Sequence, residues 1–477
     1  MRGAIFDLRL AVKRLLMIAY LFPPVGGIGV AGSQRVLKFA KYLPGNGWQP
    51  VILSIKEASY ESYFSTDPSL RNKIPANSLI VRTTVIRWLT WLLELKGRLQ
   101  RGSVPACVPS PVAAEQNNPA AAPQVTPQIG QPEKNFFQSF KDGITDLFEI
   151  PDEEMGWILP GTIGGLSAFR RYGYDAIFST GRPWTALLIG VLLKRLTGKP
   201  LIVDFRDPWM TNPFRIQYSP MRNRLESWLE HQVIQQANVV MANTHELREE
   251  FVKRFPEQQP EKFMTLLNGF DSEDFGREFD SATRSRNQIF TITHTGFLYG
   301  KRDPMNFLEA VRLCLEQGRL ARDKVRILLI GSAELPYSLP DYLRTTGLSD
   351  VVCLRAHVPY RESLDYLGGS DVLLLLQPGT KTQVPSKLFD YIGVGKPIFG
   401  ISPLDGATSN LMVKHHLGAV ADPDNIQGIS RALANLYRAW ETGSLDSLVD
   451  SKEFQRFDVR NVTGTLATRL STITADK

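Results

Sequence analysis

Residues 14–43, "RLLMIAYLFPPVGGIGVAGSQRVLKFAKYL", decide the fold. Leu15 to Phe22 are almost all apolar, as expected for a strand of a parallel sheet buried on both faces. A proline–glycine loop follows. Val36, Leu37, Phe39, Ala40 and Leu43 then recur at the spacing of an apolar helical stripe. Strand, glycine loop and helix in that order suit a phosphate: glycines let backbone N–H groups approach an anion, and a helix N-terminus favours negative charge. Gly27, Gly29 and Gly32 fit G-x-G-x-x-G, so a dinucleotide-binding turn is one reading. Two features weigh against it. The "FPP" at 22–24 lengthens the loop. The next strand, "QPVILSI" at 49–55, ends without the acidic residue that holds a ribose. Glu57 lies just beyond and keeps an NAD(P)-dependent oxidoreductase open.

A chain of 477 residues has length for two or three domains with ample core. Apolar residues are 43% and charged residues 22%, which is ordinary for a globular protein. The net charge of +7 suits an anionic partner. No RNA- or DNA-binding signature accompanies it, so a phosphorylated substrate or an acidic membrane surface is expected and nucleic acid is not. Cys107, Cys314 and Cys353 are few and scattered, which fits a reducing cytoplasm and not a disulfide framework. The histidines make no H-E-x-x-H pattern, and the adjacent His415 and His416 are expected on a surface loop. The N-terminal "MRGAIFDLRLAVKRLLMIAYLF" runs straight into the proline–glycine loop and a helix, so it reads as a first strand and not a signal peptide. No apolar run reaches the length of a membrane span.

Strand-like and helix-like segments alternate through most of the chain, the pattern of an α/β protein. Early strands are expected at 15–22, 50–55 and 78–83. Residues 102–133 are rich in Pro, Ala, Gln and Asn and read as a flexible insertion. Alternation resumes with "YDAIFST", "KPLIVDF", "ANVVMAN" and "FMTLLNGF" as strands. The polar stretch "GREFDSATRSRN" at 276–287 reads as a linker. A second set follows, from "IFTITHTG" through "KVRILLIGS", "DVVCLRA" and "DVLLLLQ" to "KPIFGIS". The expected organisation is a first domain over 1–275, a second over 288–452, and a C-terminal helix within 453–477 that crosses back to the first. Two such domains place a cleft between the carboxyl ends of their sheets.

Four blocks together resemble the glycosyltransferase family 4 enzymes of the GT-B fold: "FPPVGGIGVAGSQRVLKFAKYLPGNGWQPVILS", "IVDFRDPW", "LLNGFD" and, most specifically, "VPSKLFDYIGVGKPI". The resemblance spans nearly the whole chain apart from the insertion. It implies two Rossmann-like domains facing across a cleft, and transfer of a sugar from a nucleotide-sugar donor with retention of configuration. It also implies that Gly27 and Gly29 cover a donor diphosphate and do not cradle NAD.

The resemblance assigns roles to particular residues. In "THTGFLYGKRDP", Gly296 ends a strand, and Lys301 and Arg302 are the expected cations on the leaving diphosphate. Phe297 stands where the family usually has an arginine. Ser386 is expected as a helix N-cap, with Lys387 adding charge and Asp390 holding ribose hydroxyls. The family has a further acid where this chain has Thr382. Asp207 is expected to orient or deprotonate the acceptor hydroxyl, or to be a structural partner of Arg206. Ala356 and His357 lie in the segment implied to meet the nucleobase, and His294 reads as core. No metal and no other cofactor is expected. The implied partners are the nucleotide-sugar and a glycan or lipid-linked glycan acceptor, at the cytoplasmic face of the plasma membrane. A GT-B-fold epimerase, the oxidoreductase, or a scaffold that binds without transfer remain as alternatives.

One stretch points to that membrane directly. "VIRWLTWLLELKGRLQR", Val85 to Arg101, places Trp88, Trp91 and leucines beside a basic polar face, as in interfacial helices. It is expected to touch anionic lipid, or else to pack on its own domain.

Overall fold

In the computed structural model, residues 12–25, 31–61, 64, 66–87, 149–275 and 287–475 are described. The first sheet holds β1 (Lys13–Ile18), β2 (Trp48–Ile55), β3 (Leu79–Thr83), β4 (Ala176–Gly181), β5 (Leu201–Phe205), β6 (Val239–Ala242) and β7 (Phe263–Thr265). Its order is β3-β2-β1-β4-β5-β6-β7, and every pairing is parallel. The second sheet is built from β8 (Phe290–Thr295), β10 (Val325–Ile330), β12 (Val352–Arg355), β13 (Val372–Leu376), β14 (Ile398–Ile401) and β15 (Gly418–Ala421), in the order β12-β10-β8-β13-β14-β15. A two-stranded ribbon pairs β9 (Leu298–Tyr299) with β11 (Ala333–Glu334). Both large sheets reverse direction of winding once, beside their first strand. The switch points lie between β1 and β4 and between β8 and β13, where open α/β sheets bind ligands.

The central strands are buried on both faces. Leu15, Leu16, Met17 and Ile18 of β1 have no exposure, and β13 is buried throughout. β1 ends at Ile18, earlier than its apolar run, and β7 keeps only the first part of "FMTLLNGF".

The chain crosses between the sheets after β7 and returns before its last helix, Val459–Ala475. The two crossings bond to each other: Phe270 N–H donates to Phe457 O at 3.0 Å, and Val459 N–H to Phe270 O at 2.8 Å. Gly269 has no room for a side chain here, because a Cβ would lie 2.6 Å from Phe457 O. The last helix then buries Val462, Leu466 and Leu470 against Val36, Phe39 and Leu43, on and beside the helix Ala31–Tyr42.

A buried ion pair joins these parts. Arg35 donates to Asp204 through Nε (3.1 Å) and Nη2 (2.9 Å), to Leu266 O (2.8 Å), and through Nη1 to Leu267 O (2.9 Å) and Asn268 Oδ1 (2.7 Å). Thr180 Oγ1 donates to the same carboxylate at 2.8 Å. Removing one partner leaves an uncompensated buried charge, so Arg35→Met is expected to destabilise the fold by about 3–5 kcal/mol. Denaturant unfolding checks this. Adding Asp204→Leu to Arg35→Met should recover part of the loss, since the stranded carboxylate goes with it.

Candidate active site

β8 delivers the chain to the second switch point. At Gly296 φ is +131°, and its N–H donates to Ile330 O at 2.7 Å. A Cβ there would fall 1.4 Å from Lys387 Nζ, so the lysine side chain lies directly across the bare glycine. Gly331 packs beneath it, with φ +136° and room for no Cβ, which would stand 2.2 Å from Gly296 O.

Lys387 belongs to the helix Ser386–Val394. The sequence placed Ser386 as the N-cap. The structure corrects this: Pro385 is the N-cap, with no side-chain capping bond, and Ser386 is the first helical residue. Proline cannot cap with its side chain, so the first turn's amides are not covered from there. Burial, reinforced by the Arg302 charge, lowers the Lys387 ammonium to a pKa of about 8.

Lys301 and Arg302 follow β9 and reach toward the end of the neighbouring β13. Arg302 Nη2 donates to Gln377 Oε1 at 3.1 Å, and its guanidinium lies over the Tyr299 ring. Lys301 lies across Gly379, where a Cβ would be 2.3 Å from its Cδ. Phe297 stacks on Tyr299 with ring centroids 4.9 Å apart. The structure therefore brings Gly296, Lys301, Arg302, Ser386 and Lys387 to the ends of two adjacent strands.

His294 sits beneath them, 2% exposed. Its Nδ1 is 2.9 Å from Leu374 O, and its Nε2 has no partner. A carbonyl accepts only, so Nδ1 carries a proton. Burial and the Lys387 charge push its pKa down to about 3.

Asp390 lies on the next turn of the same helix and accepts from Tyr360 OH at 3.1 Å. Burial raises its carboxyl, and Lys38 of the first domain opposes that rise. His357 and Ala356 are exposed beyond β12, with no bond to the cation cluster. Thr382 O accepts from Thr244 Oγ1 of the first domain at 2.6 Å.

Gly27 and Gly29 lie outside the described residues. Gly32 is described, and a Cβ on it would fall 1.6 Å from Arg206 Nη1. Arg206 thus covers one glycine of the loop while donating to the carbonyls of Gly181 and Arg182 at the end of β4. Burial lowers its pKa, and Asp207 and Asp204 act against that. Asp207 Oδ1 accepts from Gln383 Nε2 at 2.8 Å, a bond between the two domains. Glu57 ion-pairs with Arg71. Among the described residues, no group of three His, Cys, Asp or Glu is arranged to hold a metal ion.

Sequence reasoning missed Gln377, Gln383 and Tyr360, whose partners lie on other strands or on the other domain. It also missed the paired carboxylates Asp152 and Glu154 beside β4. Asp152 accepts from Thr185 N–H at 3.0 Å, and burial together with Asp152 raises the Glu154 carboxyl well above its usual range. His415 is not on a surface loop. It is buried against Phe457 at 5.1 Å, with Nδ1 2.6 Å from Glu453 Oε2. Of the stretch 85–101, only Val85, Ile86 and Arg87 are described. They are not helical, and Ile86 N–H donates to Gly156 O at 3.1 Å. Trp88, Trp91 and the insertion at 102–133 lie outside the described residues.

Comparison with known proteins bears on this geometry. Residues 130–269 match the family described as "Glycosyl transferase 4-like domain". The chain carries a glycosyltransferase 4-like domain. The enzyme is a glycosyltransferase of GT-B fold. Solved structures of similar fold include HepE from Anabaena in complex with UDP (15% identity, TM-score 0.57, 96% of this chain and 100% of that one). Sucrose-phosphate synthase from Thermosynechococcus elongatus is another (11%, TM-score 0.58, 98% and 100%). A glycosyltransferase from Rickettsia africae is a third (9%, TM-score 0.58, 98% and 100%). At these identities the likeness is one of fold. No curated protein matches the chain by sequence.

The histidine provides a direct check. With selectively labelled histidine, the His294 ring nitrogens should report the neutral Nδ1–H form with no titration between pH 5 and 8. Its folded pKa is depressed, so its stability contribution is full above the unfolded value near 6.5. That contribution is then lost at up to about 1.4 kcal/mol per pH unit as pH falls toward 3.

Proposed function

We propose that this glycosyltransferase takes its sugar from a nucleoside diphosphate sugar and passes it, with retention of configuration, to a growing and lipid-linked glycan. It would do so at the cytoplasmic face of the membrane. One observation carries the donor assignment: Lys387, Arg302 and Lys301 gather at the ends of β8 and β13, beside an uncapped helix N-terminus. Breaking the bond between the anomeric carbon and the diphosphate leaves negative charge on the departing oxygens. Fixed cations and backbone amides stabilise that charge as it forms. The nucleotide's ribose falls to Asp390, and the base to the segment of Ala356 and His357. Gly27 and Gly29 close over the diphosphate from the other domain. Asp207, its carboxylate held by Gln383, orients the acceptor hydroxyl. The HepE complexes with UDP and with UDP-glucose make uridine nucleotides the first donors to try.

The lysine and arginine cluster takes the part that a divalent ion plays elsewhere. Transfer should therefore persist in EDTA, and loss of turnover restored by Mg²⁺ or Mn²⁺ would overturn this reading. Release of nucleoside diphosphate across a set of nucleotide-sugars, with and without lipid-linked acceptors, tests the donor and acceptor together. Lys301→Ala combined with Arg302→Ala should lower kcat by about 100-fold or more. Unchanged turnover in a folded double variant would remove both residues from the mechanism.

Lys387 adds a pH dependence. Only its protonated form attracts the diphosphate, and burial with the Arg302 charge lowers its pKa to about 8. UDP binding followed by calorimetry should weaken as pH rises through 8, by at most about tenfold per pH unit. Lys387→Arg, which stays charged, should flatten that slope.

A further inference from the structure

The helix Pro220–Gln236, with the loop before it, is turned inside out relative to an ordinary surface helix. Its carboxylates point inward. Glu226 is 2% exposed and accepts from Arg222 Nε (2.7 Å), Arg215 Nη2 (3.0 Å) and Trp209 Nε1 (3.3 Å). Glu230 has no exposure and is paired with Arg254. Apolar side chains point outward: Met221, Leu225 and Trp228 share one helical face, and Phe214 and Ile216 stand on the preceding loop. Ile216 is 69% exposed and Trp228 55%. Glu226 and Glu230 are the only acidic residues between Pro208 and His245, and both are turned inward; the exposed Glu257 lies 3.7 Å from His231 at the far end of the helix. This surface shows the exposed Arg224.

The far end of the helix is basic. Lys262 Nζ donates to Gln235 O at 3.0 Å, and Lys194 Nζ to Gln236 O. The two ammonium groups lie close enough that Lys194 helps burial lower the Lys262 pKa to about 8. Acidic groups on the neighbouring helix His245–Arg254 are engaged locally, Glu249 by Arg248 and Glu250 by Arg254 and Thr211.

We infer that the surface of Phe214, Ile216, Met221, Arg224, Leu225 and Trp228 docks the enzyme on an anionic lipid bilayer. Exposed aromatic and aliphatic side chains enter the headgroup boundary, and the exposed Arg224, on a stretch whose own two carboxylates are turned inward, favours anionic headgroups. This assigns a surface to the membrane contact proposed above and rests on that reading, but binding is measured without donor or acceptor.

The test is cosedimentation of the full chain with vesicles of phosphatidylcholine alone and with 30% phosphatidylglycerol. The parent should bind the anionic vesicles at least tenfold better, and less well at high salt. Ile216→Asp with Trp228→Glu should lower that binding at least tenfold, while Tm and UDP binding stay at the parent's values. Arg224→Glu should weaken binding to the anionic vesicles alone. A parent that binds neither vesicle, or variants that bind as the parent does, would overturn the proposal. So would a parent that is dimeric in solution and becomes monomeric in the double variant, because the face would then be a contact between copies. If vesicle binding follows the expected pattern but no nucleotide binds, the membrane surface stands and the donor reading fails.

Discussion

The Arg35–Asp204 pair is the constraint on which the first domain and its cleft depend. A guanidinium and a carboxylate removed from water are unfavourable unless nearly every donor and acceptor is used. Here Arg35 bonds Asp204, the Leu266 and Leu267 carbonyls and Asn268, and it lies over the Phe39 ring at 4.9 Å. Thr180 uses a further lone pair of Asp204. The bonds tie together the helix after the glycine loop, β5, β4 and the first crossing between domains. Asp204 also sets where Arg206 and Asp207 emerge at the cleft. The helix Ala31–Tyr42 and the cleft lip therefore share one anchor, and the crossing to the second domain starts from the same point.

The two switch points use the same device. At Gly32 and at Gly296 the backbone lacks a side chain, and a cation from another element occupies the space: Arg206 in the first domain and Lys387 in the second. Both cations are partly removed from water, and burial lowers the pKa of each. A bound anion would offset that penalty. Arg206 and Lys387 place positive charge at the two facing ends of the cleft, over backbone with no room for a side chain. His294 extends the logic. A buried imidazole beside Lys387 and Arg302 is held neutral near pH 7, so it adds polarity beneath the site without adding charge.

Much of this was legible in the chain. The runs of β1, β8 and β13 and the glycines after them are local patterns, and burial on both faces of a parallel sheet writes itself into sequence as continuous apolar residues. Lys301, Arg302 and Lys387 were singled out through the family resemblance, on motifs that stand next to such local signals. Gln383 was not, because its meaning is a bond to Asp207 in the other domain. The same holds for Tyr360 on Asp390. The Ser386 error has a local cause: serine is the better cap, but Pro385 takes the cap position and the helix starts one residue earlier than expected. His415 shows the opposite failure. A histidine pair after a helix looks like surface, and only the return of the chain through Phe457 and Glu453 buries it.

The helix Pro220–Gln236 escaped notice for a related reason. Periodicity identifies a surface helix by assuming that its polar side faces water. When Glu226 and Glu230 turn inward to meet Arg222, Arg215 and Arg254, that assumption reverses, and the exposed Met221, Leu225 and Trp228 read as core. The inward carboxylates have a structural use, since Glu226 also accepts from Trp209, which stacks on Trp184 at the end of β4. Asp207 stands two residues before Trp209 in the sequence and bonds Gln383 across the cleft. A chain of contacts thus runs from the outer apolar face through Glu226 and Trp209 to the lip where the domains meet. The same inward turn that leaves Met221, Leu225 and Trp228 exposed also braces Trp209 near the lip where the domains meet, so outer face and cleft are set by one arrangement of charges.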